Sequence, residues 1–396
     1  MVLGSDFLVY PSASVSSAIM GAASVVQLAS GAFSITDANL GATPNAALLI
    51  GGKAGDVSSL NLGLFDGTGV YSVYGRTRDI TTPSNARSVL SSTKIYNAIG
   101  NTTNTIESSI STSGFSANTL GLSFDGVSEA ATGLLGILLN LPNAVLTIHE
   151  FSAGTSVLNK TGLAFTPNFF ITFAQPNTEV ASGVVLQQYQ SIGFATSTVN
   201  QYSMNYASFH NAATADASAI LSTSYLAYNF SNAQSISLTT IAADGYTLTR
   251  SATSGISSVG VLACYLPNNV VLSVEDSPIT TGLHTIALGA DTKEHIVVIS
   301  TVEAVDSLVT NSTANGMAIG YFNDNITASY GIVVNEGSNP VNTEAYYNND
   351  KILLESTVGT TVADFAFNAY TGTGPQMNWV TAPGTAKKMI VLGIEN

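Results

Sequence analysis

The feature that most constrains this chain is that it repeats itself. The segment Leu141-Pro142-Asn143-Ala144-Val145-Leu146-Thr147-Ile148 returns as Leu266-Pro267-Asn268-Asn269-Val270-Val271-Leu272-Ser273-Val274, with the two prolines 125 positions apart. Each copy follows an apolar, glycine-containing run, Gly133-Leu-Leu-Gly-Ile-Leu-Leu139 and Val259-Gly-Val-Leu-Ala-Cys-Tyr265. A third such run stands at Met389-Ile-Val-Leu-Gly-Ile394. Self-similarity at a fixed period means that one supersecondary unit has been used several times.

Other landmarks recur in the same order. Thr43-Pro44-Asn45 precedes Ala-Ala-Leu-Leu-Ile as Thr166-Pro167-Asn168 precedes Phe-Phe-Ile-Thr-Phe. Thr292-Lys293-Glu294 before His-Ile-Val-Val-Ile is the looser third copy, with Lys293 matched to proline. Next come Leu62-Gly63-Leu64-Phe65, Ile192-Gly193-Phe194 and Ile319-Gly320-Tyr321-Phe322. Tyr71-Ser72 then matches Tyr202-Ser203, and Ala86-Arg-Ser-Val-Leu-Ser-Ser92 matches Ala217-Ser-Ala-Ile-Leu-Ser-Thr223; both offsets are 131. Three units follow, residues 1–142, 143–267 and a divergent 268–396. No long Pro/Gly linker separates them, so they are expected to abut as a stiff rod or a compact trefoil.

Within each unit the pattern is that of strands. Phe169 to Phe173, Val184 to Tyr189, Tyr202 to Phe209, Ile296 to Val302 and Met389 to Ile394 are short apolar or alternating runs bounded by Gly, Pro, Asn or Asp. Asp66-Gly67, Asp125-Gly126 and Asp244-Gly245 suit tight hairpins. Only Ala18 to Ala29 reads as a short helix. The fold class is therefore all-β, three tandem antiparallel β-sandwich domains of jelly-roll or immunoglobulin-like type.

Composition narrows the function. With 25 acidic and 11 basic side chains the net charge is −14, which excludes a nucleic-acid surface built on a general basic field. Charged residues are 9 % of the chain, against about 25 % in ordinary soluble domains. Ser, Thr, Asn and Gly must cover the outside, and such a skin packs against other proteins with little side-chain entropy to lose. The single cysteine, Cys264, in the apolar Val-Leu-Ala-Cys-Tyr-Leu context, reads as a core residue and allows no intrachain disulfide. The opening Met-Val-Leu-Gly-Ser-Asp-Phe has no basic region of a secretory signal. The most lipid-like stretch, Ala130 to Ile148, is interrupted by Asn140, Pro142 and Asn143 and reads as two strands and a turn, so no membrane insertion is expected.

A search for chemistry finds little. His149, His210, His284 and His295 share no metal-ligand spacing, and no nucleophile elbow, phosphate loop or dinucleotide fingerprint occurs. Glu150, Asp244, Glu344 and Glu355 are isolated in sequence, where a glycosidase needs two facing carboxyls. Asp66-Gly67-Thr68-Gly69 and Asn323-Asp324-Asn325 could offer oxygens to calcium but read as turns. Thr371-Gly-Thr-Gly-Pro375 reads as a loop. The expectation is a non-enzyme with no cofactor and no metal. Aromatics are the better functional hint: Tyr206, Tyr346, Tyr347 and the sole tryptophan, Trp379, are the candidate binding or interface residues, together with Tyr202, Phe209, Tyr225 and Tyr228. Rings of this kind stack on sugars or form contact hot spots, and otherwise alternate into sandwich cores, which is the preferred reading here.

The order Phe165-Thr-Pro167-Asn-Phe-Phe-Ile-Thr-Phe173, Ser191-Ile-Gly-Phe-Ala195, Asp244-Gly-Tyr-Thr-Leu-Thr249 and Val259-Gly-Val-Leu-Ala263 resembles a β-sandwich module of virion structural proteins of tailed bacteriophages. The resemblance is best over 143–267, fair over 1–142 and weak beyond 268. It implies a particle component, decorating a capsid or forming part of a tail or fibre, made in the host cytoplasm and found in the virion. Its expected partners are other virion proteins and further copies of itself, and it carries over no catalytic residues. Three similar domains in one chain could also mimic a trimer. The alternative is a carbohydrate-binding adhesin or receptor-binding protein, with host surface glycans as partner; a glycan depolymerase is the enzymatic rival.

Overall fold

The computed structural model describes residues 20–395 apart from 28–30, 54–56, 79–84, 101–104, 127–131, 176–186, 210–216, 231–232, 253–256, 290–291, 311–314 and 336–341. The described residues form strands and no helix.

The first unit contains β1 (Met20–Gln27), β2 (Gly31–Thr36), β3 (Ala46–Lys53), β4 (Val57–Phe65), β5 (Val70–Arg78), β6 (Asn85–Ser91), β7 (Tyr96–Ile99), β8 (Ile106–Ser116), β9 (Thr119–Gly126) and β10 (Thr132–Leu139). The second contains β11 (Asn143–Phe151), β12 (Val157–Lys160), β13 (Phe169–Gln175), β14 (Gln187–Ala195), β15 (Gln201–Phe209), β16 (Ala217–Ser222), β17 (Ala227–Asn229), β18 (Gln234–Ala242), β19 (Gly245–Arg250) and β20 (Ser257–Tyr265). The third contains β21 (Val270–Asp276), β22 (Gly282–Thr285), β23 (Glu294–Ser300), β24 (Val309–Thr310), β25 (Asn315–Phe322), β26 (Thr327–Asn335), β27 (Asn342–Asn348), β28 (Ile352–Thr357), β29 (Thr360–Thr371), β30 (Gly374–Thr381) and β31 (Lys388–Ile394).

Each unit is one large and one small antiparallel sheet with the same strand order. The large sheets run β1-β10-β3-β4-β5-β6, β11-β20-β13-β14-β15-β16 and β21-β31-β23-β25-β26-β27. The small ones run β2-β9-β8-β7, β12-β19-β18-β17 and β22-β30-β29-β28. These are three tandem β-sandwiches. β24 alone leaves its own unit and adds to the edge of the second, where Val309 and Thr310 pair with Ala219 and Ser218 of β16.

The large sheets are buried on both faces. In β13, Phe170 and Ala174 face the small sheet of their own sandwich, while Phe169, Ile171 and Phe173 face the other way into a core shared by all three units. The split recurs as Ala47 and Leu49 against Leu48 and Ile50 in β3, and as Val297 and Ile299 against Ile296 and Val298 in β23. There are thus three cores inside sandwiches and a fourth between them, which is the trefoil arrangement. A strand with apolar contacts on both sides must be apolar at consecutive positions, which is why these strands read as unbroken apolar runs. The small sheets have one wet face and alternate, as β19 does along Gly245–Arg250.

The recurring landmarks have local causes. Gly63 and Gly193 lie where the chain crosses from the large to the small sheet: a Cβ there would stand 2.2 Å from Ile95 O and 2.4 Å from Leu226 O. Asn45 and Asn168 are clamps. Asn45 Nδ2 donates to Leu141 O at 2.6 Å while its Oδ1 accepts from Leu141 N at 3.0 Å, and Asn168 binds Leu266 in the same two-pronged way. Each clamp holds the chain as it passes into the next unit. In the third unit the register corrects the sequence alignment by one residue. Lys293 N donates to Ile394 O as Asn45 N does to Leu139 O and Asn168 N to Cys264 O, so Lys293 occupies the asparagine place, not the proline place.

Two local expectations are also corrected. The segment expected to be helical contains β1, which pairs antiparallel with β10 from Met20 to Gln27; Ala22 is buried in the shared core and Ala23 packs against the core of the first sandwich, so ladder and burial override alanine's helix preference. Asp125-Gly126 is not a hairpin turn but the ladder end of β9, opposite Ser109 and Ser108; the β8–β9 turn uses Asn118 at φ 58°. Ala130 to Ile148 does contain two strands and a turn, β10 and β11, which belong to different sheets.

The glycine argument is testable by equilibrium urea unfolding. Gly193→Ala is expected to lower stability by about 1–3 kcal/mol because backbone must move to admit the methyl group. Gly384→Ala, where nothing lies within 4 Å, should change it by less than about 0.5 kcal/mol. Equal effects would show that the crossing is not tight.

Candidate functional site

The polar contacts between units form a closed cycle. In the first two units the turn after the fourth strand reaches the first strand of the next, and in the third Tyr321, at the end of β25 and bonded by the turn residue Asn323, does so. Asp66 Oδ1 organises its own turn by accepting from Thr68 N, Thr68 Oγ1 and Gly69 N, and Oδ2 accepts from Leu146 N of β11 at 2.8 Å. Asn200 Nδ2 donates to Leu272 O of β21 at 3.4 Å. Asn323 Nδ2 donates to Tyr321 Oη, and Tyr321 Oη donates to Met20 O of β1 at 3.3 Å. The Glu294 carboxylate accepts from Met20 N at the same place. The first unit therefore grips the second, the second the third, and the third the first. The loops considered as calcium ligands are spent on this: Asp66 as above, and Asn323 Oδ1 on Asn325 N and Ile326 N.

A second set of bonds runs deeper. Tyr71 Oη donates to Ser258 O across the first seam and Tyr330 Oη to Ser59 O across the third, at 3.0 and 2.7 Å. Thr77 touches both other units: its Oγ1 donates to Gln188 Oε1 at 2.8 Å and its carbonyl accepts from Thr343 Oγ1 at 3.1 Å. Gln188 Nε2 bonds Gln190 Oε1, Gln190 Nε2 bonds Leu60 O, and Gln175 Nε2 bonds Ser88 Oγ, all buried. Sequence reasoning missed this polar knot. Its signal is Gln187-Gln188-Tyr189-Gln190: where Gln188 and Gln190 stand, the first unit carries Ser58 and Leu60 and the third Asn315 and Met317.

The four candidate aromatics do not form one surface. Tyr206 is 0 % exposed in the shared core, and Tyr347 packs against that core, with its Cβ 3.1 Å from a Cβ built on Gly133 of the first unit. Tyr346 is buried over Gly331, with its Oη accepting from Glu355 N at 3.0 Å. Trp379 is stacked on Phe365 with ring centres 4.0 Å apart. None of the buried three offers a ring face to solvent: these side chains alternate into the cores, the reading preferred from the sequence, because strand period and two-sided burial demand it. Tyr225 and Tyr228 are half-buried and stack on each other at 5.4 Å.

Of the isolated carboxylates, Glu344 and Glu355 come near each other around Tyr346; burial first, then Glu344, holds the Glu355 carboxyl above its usual range. Cys264 is buried in the shared core and burial pushes its thiol well up, away from reactivity. Thr371-Gly-Thr-Gly374 is the β29–β30 turn. His210 lies outside the described residues. Among the described residues no three His, Cys, Asp or Glu side chains gather as a metal site, and no helix is long and apolar enough to cross a membrane.

The strap that ends in β24 is fixed at Asp306, held at φ 52°, whose carboxylate accepts from Ser222 Oγ and Thr223 N at 2.9 Å while its own N–H donates to Leu221 O. Between the strap and Pro383–Lys387 lies a groove of about 640 Å³, spanned by the Glu303–Lys387 ion pair. No protein-family model, curated protein or solved structure matches this chain.

Two predictions follow from these seams and buried rings. Tyr330→Phe leaves Ser59 O buried without its donor, and should cost about 1–3 kcal/mol in urea unfolding and speed amide exchange in β4; unchanged exchange would mean that this seam does not hold the ring shut. Burial lowers His149 to about 4 and His295 to about 3, with Lys160 and Lys293 adding respectively. Below pH 6.5 the unfolded chain binds protons that the folded chain refuses, so stability is full above that pH. It should fall by up to ~1.4 kcal/mol per pH unit per histidine on going down toward 4. The double variant His149→Gln/His295→Gln should flatten that slope between pH 6.5 and 4 in thermal melts, and an unaltered slope would remove the assignment.

Proposed function

We propose that this protein is a non-enzymatic structural component of a bacteriophage virion that acts by protein–protein assembly, one chain filling a position of threefold or pseudo-threefold symmetry. The observation that carries the reading is the cycle of contacts. Three sandwiches close on a common core through Asp66, Asn200 and the pair Tyr321 and Glu294, and the chain thereby has the form of a trimer without needing one. Closed symmetric oligomers and their lattices offer many sites of this kind. The sparsely charged skin suits permanent contact with other virion proteins and with further copies of the chain, since few long charged side chains must be immobilised there. Between the two particle roles, self-contained closure favours capsid decoration over a tail or fibre, where three separate chains would supply the threefold.

Light scattering should give the mass of one 40.8 kDa chain, not of a homotrimer. Mass spectrometry of purified virions should then find the protein, and images of the particles should show a three-lobed body on or near a threefold position. A stable homotrimer would move the assignment to a fibre, and absence from virions would end it.

A further inference from the structure

The turns that lead from β6 to β7, from β16 to β17 and from β27 to β28 are built alike. Ser91 Oγ accepts from Thr93 N and Lys94 N, Ser222 Oγ accepts from Ser224 N, and Asn348 Oδ1 accepts from Asp350 N and Lys351 N. The strand registers fix the equivalence, since Ser91, Ser222 and Asn348 stand opposite Ser72, Ser203 and Ser329. Three residues on come Lys94, Tyr225 and Lys351. Lys94 Nζ donates to Ser111 Oγ at 2.7 Å and Lys351 pairs with Asp364 at 2.5 Å, so in the first and third units a lysine of the chain lies across its own small sheet. In the second unit that place belongs to a ring.

Tyr225 stacks on Tyr228 with centres 5.4 Å apart, and Phe230 meets Tyr228 edge-on at the same distance. All three are half-buried. Tyr228 stands opposite Ser235, the neighbour of the inward Ile236, which puts it on the outer face of the small sheet. The strap of the third unit brings a carboxylate to the same turn. Asp306 accepts from Ser222 Oγ, Thr223 N and Thr223 Oγ1, and it remains exposed. A carboxylate offers about four acceptor places, so one more donor finds room. Burial first, then the charges of Tyr228 and Asp306, push the Tyr225 phenol up to about 12 against a bond to Ser222.

The chemistry of this corner selects its occupant. Aromatic faces carry negative potential, as the carboxylate does, so an anion is repelled by both. An apolar group would cover the carboxylate without pairing it. A cation is drawn by both, and a guanidinium suits them better than an ammonium, because its plane stacks on a ring while its N–H groups bond a carboxylate. The occupant comes from another protein. Arg76, Arg87 and Arg250 are buried in this chain and Arg78 is half-buried, so a second copy has no exposed arginine to offer. We propose that Tyr225, Tyr228 and Asp306 form the anchor point for an arginine side chain of a partner protein. Tyrosine and arginine are the residues that interfaces concentrate at their strongest contacts. The proposal rests on the assembly reading and gives the chemistry of one contact in it.

The test uses the full chain with isotope-labelled tyrosine rings. It is titrated with a blocked glycine–arginine–glycine tripeptide, with the citrulline tripeptide of the same shape and no charge, and with methyl glucoside. The arginine peptide should move the Tyr225 and Tyr228 ring resonances saturably, and about threefold or more further than the citrulline peptide at equal concentration. High salt should reduce the movement. Tyr225→Lys installs the residue of the two sibling turns and should abolish the response at Tyr228. Asp306→Asn keeps an acceptor oxygen and suits the φ of 52°, and should weaken the response about twofold or more. Should Tyr225→Lys not fold, Asp306→Asn decides alone. No saturable movement at the two rings overturns the proposal. So does an equal response to the citrulline peptide or the glucoside, or a full response in the folded variants. A failed titration leaves membership of a particle untouched, and absence from virions leaves the titration standing, so the two readings fail separately.

Discussion

Burying the three large sheets on both faces is the constraint on which the rest of this molecule depends. A sandwich ordinarily protects one face of each sheet and leaves the other to water. Here Leu48, Ile171 and Ile296 occupy outward positions of their own sandwiches and are nevertheless fully buried, because the sandwiches bury those faces against one another. Full burial of such a side chain contributes about 1.5–3 kcal/mol relative to exposure. A unit separated from its neighbours would therefore expose a broad apolar sheet, and the three units stand or fall together. The low charge content has the same cause: positions that would carry Lys and Glu on an isolated sandwich are inside.

Backbone geometry then decides how the units meet. The turns at Asp66 and Asn200 each hold the next unit's first strand with a turn side chain, whereas in the third unit Asn323 caps its own turn and bonds Tyr321 of β25, whose hydroxyl reaches Met20. Glu294 and Tyr321 complete the third seam, the one with no covalent connection to help it, and that seam carries a buried carboxylate on a backbone N–H. Charge-assisted bonds of this kind are stronger than neutral ones, which suits the place where the ring must be closed by side chains alone.

Much of the fold was legible because its repeats do backbone work. Gly63 and Gly193 recur because a carbonyl passes where a methyl would be, and Asn45 and Asn168 recur because each must bind both the N–H and the C=O of one residue. Such requirements leave a residue-type mark at a fixed place. The contacts between units left no such mark, since Thr77, Gln188 and Ser88 meet across distances of about a hundred residues and could equally have been surface positions. The one-residue slip at Lys293 arose for a related reason: the shared feature there is a backbone N–H, which any residue but proline supplies. The aromatics left a surface reading open beside the preferred core one because a tyrosine on a strand buried from both sides looks, in sequence, like a tyrosine on a strand facing water.

Covalent linkage changes what a threefold body can do. Joining the units makes their association intramolecular, so the ring does not come apart on dilution as a trimer of separate chains would. It also frees the units from identity. In a homotrimer every feature appears three times; here β24 straps one seam and Thr77 joins the three units at one point. A body that has threefold form but single-copy features can sit in a symmetric place by its shared core and outline while it presents one distinct face outward. That division keeps symmetry in the buried sheets and releases it at the sandwich edges.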